Sequence, residues 1–258
     1  MAQTQRKVTL IAHTQLAEDF YDNFDRYGHA YEGNDFDDMN ATDAQAVALT
    51  AIRTCYSPGK PSEIVAKEGA RYFKSKATDG SAGTDADRLI RMIVSSGHTS
   101  TLEGITFNFA VEGISRALLA QITRHRVGWS FSIQSQRYVR FGSGDKSGGF
   151  DYVVPDSVKA KGGLALAEFE ETMGTIQFAY DSLRALGIPA EDARAVLPQA
   201  TSCNGVISAN LRAILDFYGK RKAGNGAQAE IAGLAEDLRA AVVAVEPWTD
   251  AFFEGGRK

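Results

Sequence analysis

The sequence predicts an α+β fold, a mainly antiparallel sheet packed with helices, in a single domain spanning residues 1–258. Three observations carry this. Strand-like and helix-like stretches follow one another without the strand–helix–strand rhythm that a parallel sheet requires. Residues 105–111 alternate strictly, with Ile105, Phe107, Phe109 and Val111 set against Thr106, Asn108 and Ala110; that is the period of a strand. No internal repeat and no linker-like composition divides the 258 residues, a length that can bury a sizeable core.

Residues 7–13 alternate, with Val8, Leu10 and Ala12 on one face, and read as a strand. Residues 15–43 hold nine carboxylates against one arginine, Arg26. They read as an acidic surface insertion, mostly solvating loop with some helix. Residues 44–55 carry a helical pattern capped by Thr42 or Asp43. Pro58 and Pro61 end it, and Ser62 caps a second helix reaching about residue 76. A Gly/Ser turn at 79–84 leads to a third helix at 85–96, with Leu89, Met92 and Ile93 on its apolar side and Gly97 closing it.

The strand at 105–111 is expected to end at Gly113, and Ser115 to cap a helix that buries Leu118, Leu119 and Ile122. Continued helical spacing puts Arg124 and His125 on the face of Gln121. Residues 137–141 and 151–154 look like a strand pair around the glycine-rich 142–149 loop. Pro155 and Asp156 open one long helix to about residue 186, whose stripe of Leu166, Phe169, Met173, Ile176, Tyr180 and Leu183 is core. Pro189 starts a short helix. Residues 201–209 read as a strand in which Gly205 marks a bulge or a close backbone approach. Asn210 caps the next helix, which carries Leu211, Ile214, Leu215 and Phe217; residues 227–245 form the last, stopped by Pro247.

Composition narrows the function classes. Apolar content of 44% and charged content of 23% are those of an ordinary globular protein. A formal charge of −4 argues against a nucleic-acid binder that relies on backbone phosphates. Cys55 and Cys203 are too few for a disulfide framework, and neither lies in a polar motif that would make it a nucleophile. The four histidines are dispersed, so no metal site is expected. Neither a signal-type apolar segment nor a bilayer-length apolar run is present, so the expectation is a cytoplasmic protein with no membrane partner.

The most informative stretch is QITRHRVGWSFSIQSQRY, residues 121–138. Three guanidiniums, one imidazole and a series of hydroxyls and amides fall close together. Arginine presents a planar fork of donors suited to phosphate or carboxylate, and the hydroxyls and amides add directional bonds. On an acidic chain this suits a small phosphorylated ligand.

Arg124-His125-Arg126, a short spacer and then Ser135-Gln136-Arg137-Tyr138 resemble the signature of the flavin-dependent thymidylate synthases. The spacer is one residue longer than is usual there, with the extra residue placed in Val127-Gly128-Trp129. Two further blocks are similar. His98-Thr-Ser100-Thr-Leu-Glu103 resembles the family's His-x-Thr-x-x-Glu-His segment, with Gly104 in place of the last His. Ala193-Arg194-Ala-Val-Leu-Pro198 resembles its Ala-Arg-x-x-Leu-Pro element, and Asn210, Arg212, Asp216 and Arg221 follow at family spacing. Asp216 stands where Asn or His is common, and Asn225 where a His is usual.

The resemblance implies dUMP as substrate, FAD as cofactor, NADPH and methylenetetrahydrofolate as co-substrates, and a homotetramer with active sites at subunit interfaces. It implies that Arg221 is catalytic, as a cation near uracil N3 or O4. Flavin contacts fall to His98, Ser100, Glu103, Arg124, His125, Arg126, Ile133, Asn210, Arg212 and Asp216. Nucleotide contacts fall to Gln121, Arg124, Ser135, Gln136, Arg137, Arg194 and Arg221. Ser135 is a nucleophile by residue type, but no adjacent base is evident, so it is assigned to binding. Two other classes stay open on the sequence: a nucleotide- or nucleic-acid-binding module without chemistry, and a diverged flavin- and nucleotide-binding member without synthase activity, which the Gly104, Asp216 and Asn225 departures allow.

Overall fold

The structure is a computed structural model and describes residues 1–28 and 36–254. Its elements are β1 (Lys7–His13), α1 (Glu18–Gly28), α2 (Asp43–Tyr56), α3 (Ile64–Phe73), α4 (Asp85–Ser95), β2 (Thr106–Ser115), α5 (Arg116–Ile122), β3 (Trp129–Ile133), α6 (Asp156–Lys161), α7 (Gly163–Ala185), α8 (Ala190–Ala193), β4 (Ser202–Asn210), α9 (Leu211–Arg221), α10 (Ala229–Val245) and α11 (Asp250–Glu254). The four strands form one antiparallel sheet in the order β1-β2-β4-β3. An α+β fold with a mainly antiparallel sheet is therefore what the chain adopts. By compactness the chain gathers into two units, one of residues 1–11, 108–208 and 220–238, the other of residues 12–107, 209–219 and 239–258.

In the first unit β2 buries Phe109, Val111 and Ile114. The strand does not stop at Gly113. It runs on to Ser115, with Gly113 at φ +66° and its N–H donated to Asn204 Oδ1 (2.9 Å). A Cβ there would lie 2.3 Å from the Gln5 main-chain oxygen, so only glycine lets the N-terminal segment come this close. A second apolar cluster joins Phe141, Phe150, Tyr152 and Val154 to Met173 and Tyr180 of α7.

The expected strand pair at 137–141 and 151–154 does not form; that region is turn, with one isolated bridge residue, Tyr152. Side chains of α7 take its backbone groups instead. Gln177 donates to the Phe141 carbonyl (2.8 Å) and accepts from the Phe150 N–H (2.9 Å), and Tyr180 Oη accepts from the Phe141 N–H (3.2 Å). The expected single helix to residue 186 is two, because Gly162 (φ +57°) and Gly163 (φ +48°) break the right-handed path between α6 and α7. Leu166, Phe169, Ile176 and Leu183 are only partly buried against the cluster, while Met173 and Tyr180 are fully inside.

In the second unit α2 packs against α3 and α4. Thr42 caps α2 through a reciprocal capping box with Gln45, and Thr84 does the same for α4 with Asp87. Leu49, Ile52, Ile64, Ile90 and Ile93 are buried, but Met92, expected on the apolar side of α4, is 49% exposed. The second helix ends at Phe73 rather than near 76, and Ser62 lies inside a 3-10 turn, Pro61–Glu63, instead of capping. Within the acidic 15–43 segment α1 forms a true helix. Its Phe24, with Phe36 beyond it, is buried in a cluster of rings with Phe20 and Tyr21, so this part is more than solvating loop. The rest of that expectation, residues 29–35, lies outside the described residues. On β1 Val8 and Leu10 are half-buried while Ala12 is exposed.

Candidate active site

The site residues expected from the sequence divide between the units. Gln121, Arg124, His125, Arg126, Ile133, Ser135, Gln136, Arg137, Arg194 and Arg221 lie in the first; His98, Ser100, Glu103, Asn210, Arg212 and Asp216 lie in the second.

Ser115 caps α5 by accepting from the Leu118 N–H (3.0 Å). The helix stops at Ile122, and the His125 N–H turns back to the Ile122 carbonyl (2.9 Å). Helical spacing therefore does not reach Arg124 and His125, and the expected shared face with Gln121 is not how they are placed. The chain turns at Gly128 (φ +74°), within the segment that holds the extra spacer residue, and enters β3. That strand was not foreseen, although Trp129, Phe131 and Ile133 alternate with exposed Ser130 and Ser132. Gly205 of β4 makes the expected close approach: a Cβ there would sit 2.4 Å from Ile133 Cδ1 and 2.9 Å from the Ser132 oxygen.

Five arrangements follow in the first unit. Arg221, at the end of α9, donates from Nε to His125 Nε2 (3.1 Å), which joins the triplet to the expected catalytic arginine. Arg137 and Arg194, distant in sequence, meet at Glu191. Arg137 Nε pairs with the Glu191 carboxylate (2.5 Å), and Arg194 Nε donates to the Glu191 main-chain carbonyl (2.9 Å). Gln136 is 9% exposed, and its Nε2 has no partner among the described residues; a buried donor left unpaired is costly and marks a place made for an acceptor. Arg124 and Arg126 are exposed, with no ion-pair partner among the described residues. Ser135 Oγ accepts from the Arg137 N–H (3.2 Å); among the described residues no histidine or carboxylate is hydrogen-bonded to it.

In the second unit His98 follows the α4 terminus, where Gly97 adopts φ +83° and the His98 N–H bonds the Ile93 carbonyl (3.2 Å). Its Nδ1 lies 3.3 Å from Tyr56 Oη, with the rings edge to face at 6.2 Å. Glu103 and Arg212 form an ion pair, both 44% exposed. Asn210 Oδ1 caps α9 by accepting from the Ala213 N–H (2.9 Å), which leaves its amide NH2 as the group it can offer a ligand. Ser100 is exposed and Asp216 half-buried. At Gly104 a Cβ would meet only Val47 Cγ1 at 3.4 Å, so the backbone does not demand glycine there. Tyr56, Glu191 and Gln228 were missed by sequence reasoning because their partners are remote in the chain.

The unpaired guanidiniums and the amide donors suit the phosphates and the oxygen- and nitrogen-rich ring of a flavin nucleotide, so the residues present fit FAD. Burial pushes the Cys203 thiol up to about 11, far from the low value a thiolate nucleophile needs. Among the described residues no cluster of His, Cys, Asp or Glu could hold a metal ion.

The profile of one protein family, described as thymidylate synthase complementing protein, matches residues 39–248. The chain belongs to this family. It is 38% identical over 209 residues to a flavin-dependent thymidylate synthase of Geobacter sulfurreducens, covering 81% of this chain and 82% of the relative. It is 38% identical over 184 residues to one of Nitratidesulfovibrio vulgaris, covering 68% and 69%. Among solved structures it is similar to a UMP/dUMP methylase from Streptomyces cacaoi bound with 5-Br dUMP (TM-score 0.67, 20% identity, 100% and 98% covered). Thymidylate Synthase X from Helicobacter pylori with FAD and dUMP is also similar (TM-score 0.59, 22% identity, 98% and 100% covered). At those identities the likeness is one of fold. Every expected site residue, from His98 to Arg221, falls inside the range matched by the thymidylate synthase complementing family, and most of the acidic 15–43 segment precedes it.

Proposed function

We propose that the chain is a flavin-dependent thymidylate synthase. It reductively methylates dUMP to dTMP, with methylenetetrahydrofolate as carbon donor, FAD as cofactor and NADPH as reductant. The observation that carries this reading is the meeting of Arg137 and Arg194 at Glu191 inside a chain of this family. It brings two arginines from motifs far apart in sequence to one residue, Glu191.

In this reading Arg137 and Arg194 hold the dUMP phosphate by charge-assisted forks. Ser135 and Gln136 bind the nucleotide beside them, and Gln136 gives its buried amide N–H to a ligand acceptor. Gln121 and Arg124 complete the nucleotide contacts. Arg221 places a cation near uracil N3 and O4. Charge built up there is stabilised, and C5, a poor nucleophile in neutral uracil, becomes more electron-rich. With Nε given to His125, its two terminal nitrogens are the donors it would offer the substrate. His98, Ser100, Glu103, His125, Ile133, Asn210, Arg212 and Asp216 hold the flavin, together with Arg124 and Arg126, whose charges suit its phosphates. When bound, the flavin supplies the hydride chemistry, and the protein supplies position and charge.

We also assign the chain to a homotetramer acting in the cytoplasm, with Gln121, Arg124 and Arg221 from one subunit and Ser135, Arg137 and Arg194 from its neighbour. Such sharing keeps like charges apart until assembly and ligand offset them. Among the described residues no helix is long and apolar enough to cross a membrane. The function is tested by the visible spectrum. Purified protein reconstituted with FAD is yellow at one flavin per chain, and dUMP perturbs that spectrum. Protein that takes up no flavin refutes the assignment.

A further inference from the structure

We propose that Gln228 is a positioning residue for the nucleotide, acting through Gln121. This rests on the reading that Gln121 contacts dUMP. Gln228 stands immediately before α10, in no motif that the sequence singled out.

The geometry fixes how Gln121 presents itself. Its Nε2 donates to Gln228 Oε1 (2.5 Å) and to the Ala117 carbonyl one helical turn back (3.4 Å). A main-chain carbonyl can only accept, so the amide nitrogen is the end set toward Ala117, and the short bond to Gln228 is the stronger of the two that hold it there. With both amide hydrogens taken, Gln121 is left with its carbonyl oxygen, which no donor among the described residues reaches. Gln121 therefore meets the nucleotide as an acceptor, selecting a ligand N–H or O–H and rejecting a ligand carbonyl. Without Gln228 the amide can turn over and offer its NH2 instead.

The first turn of α10 is itself anchored to the helix that carries Gln121. Glu230 accepts from the Ser115 N–H (2.8 Å) and from the Ser115 hydroxyl (2.6 Å). Ser115 is the cap of α5. On the other side, Arg6 donates to the Glu230 carbonyl (3.2 Å) and pairs with Asp237 (2.5 Å). The two ends of the Gln121–Gln228 bond are thus held at a set separation, so the bond orients an amide rather than holding a helix in place.

The experiment titrates dUMP into the FAD-loaded oxidised holoenzyme for wild type, Gln228→Met, Gln228→Glu, Gln121→Ala and the double variant Gln121→Ala/Gln228→Met. Methionine keeps the length and removes the acceptor; glutamate keeps an acceptor on the same reach. Gln228→Met should weaken dUMP by about five- to tenfold, the scale of one hydrogen bond, with flavin stoichiometry and melting temperature unchanged. Gln228→Glu should stay within about twofold of wild type, and Gln228→Met should add nothing once Gln121 is alanine. If Gln121→Ala weakens dUMP but Gln228→Met does not, or if the two losses simply add, Gln228 does not act through Gln121. If Gln121→Ala leaves dUMP affinity untouched, the assignment of Gln121 to the nucleotide falls, and this inference falls with it.

Discussion

Replacing Glu191 with glutamine should tighten dUMP binding. In the structure Glu191 holds Arg137 by a 2.5 Å ion pair, with side chains 43% and 57% exposed. A phosphate that takes the Arg137 fork must displace that carboxylate. Pairs this exposed are worth between nothing and about 1 kcal/mol, so removing the competitor returns at most that amount. On the affinity scale it is a gain of up to about fivefold. Glutamine keeps the size and a carbonyl oxygen, and Arg194 keeps its bond because it uses the main-chain carbonyl of residue 191. Melting temperature should therefore hardly move. The assay is calorimetric titration of the FAD-loaded protein with dUMP and, as control, 2′-deoxyuridine. The gain should appear for the nucleotide and vanish for the nucleoside, and it should shrink in high salt, which screens exposed charge. Weaker dUMP binding in Glu191→Gln would show that Glu191 orients Arg137 for the phosphate instead of competing with it. An equal gain for the nucleoside would show that the effect has nothing to do with phosphate.

Arg221→Ala should lower kcat by on the order of 10²- to 10³-fold, as for loss of an electrostatic donor at a reacting centre; single-turnover kinetics measures it, and Arg221→Lys should not restore it, since lysine has neither the fork nor the Nε bonded to His125. A Cys55→Ala/Cys203→Ala variant should keep most of its dTMP synthesis, because the Cys203 thiol is pushed up to about 11 and Cys55 belongs to no constellation; a trapped cysteine–uracil adduct would contradict this. Glu246, 1% exposed, has its carboxyl raised by burial, which hydrogen bonds from Thr42 and Trp248 only partly offset. A raised folded-state value means the folded chain binds the proton more tightly, so this stabilisation is present in acid and lost as pH rises through the folded value. The melting temperature of wild type relative to Glu246→Gln should therefore fall from about pH 4 to about pH 8, and a rising difference would refute the assignment.

What could be read from the sequence is what is local. Ser115 and Asn210 were legible as caps, and Thr42 as one of two candidates with Asp43, because a side chain bonding its own helix start needs only a few residues. The alternation of β2 was legible for the same reason; Gly205 was legible as a bulge or a close approach, but its partner in β3 was not. Residues 137–154 were not, because Gln177 and Tyr180, far along the chain, take the backbone bonds that a strand ladder would have taken. A helical stripe hid the break at Gly162 and Gly163, since apolar periodicity is nearly continuous across it. At the site the motif side chains could be named by type and spacing. Their immediate partners could not: Glu191 under Arg137, Tyr56 beside His98 and Gln228 against Gln121 are fixed by tertiary packing alone.

Conversion of dUMP to dTMP through a flavin is the activity on which every residue role above depends. Its most direct test incubates the FAD-reconstituted protein with dUMP, NADPH and methylenetetrahydrofolate carrying an isotopic label in its methylene group, and follows the label into the nucleotide. Labelled dTMP should form in an amount matching the NADPH consumed, with none without FAD and almost none from Arg221→Ala. Folded, flavin-loaded protein that binds dUMP yet forms no labelled dTMP would contradict it.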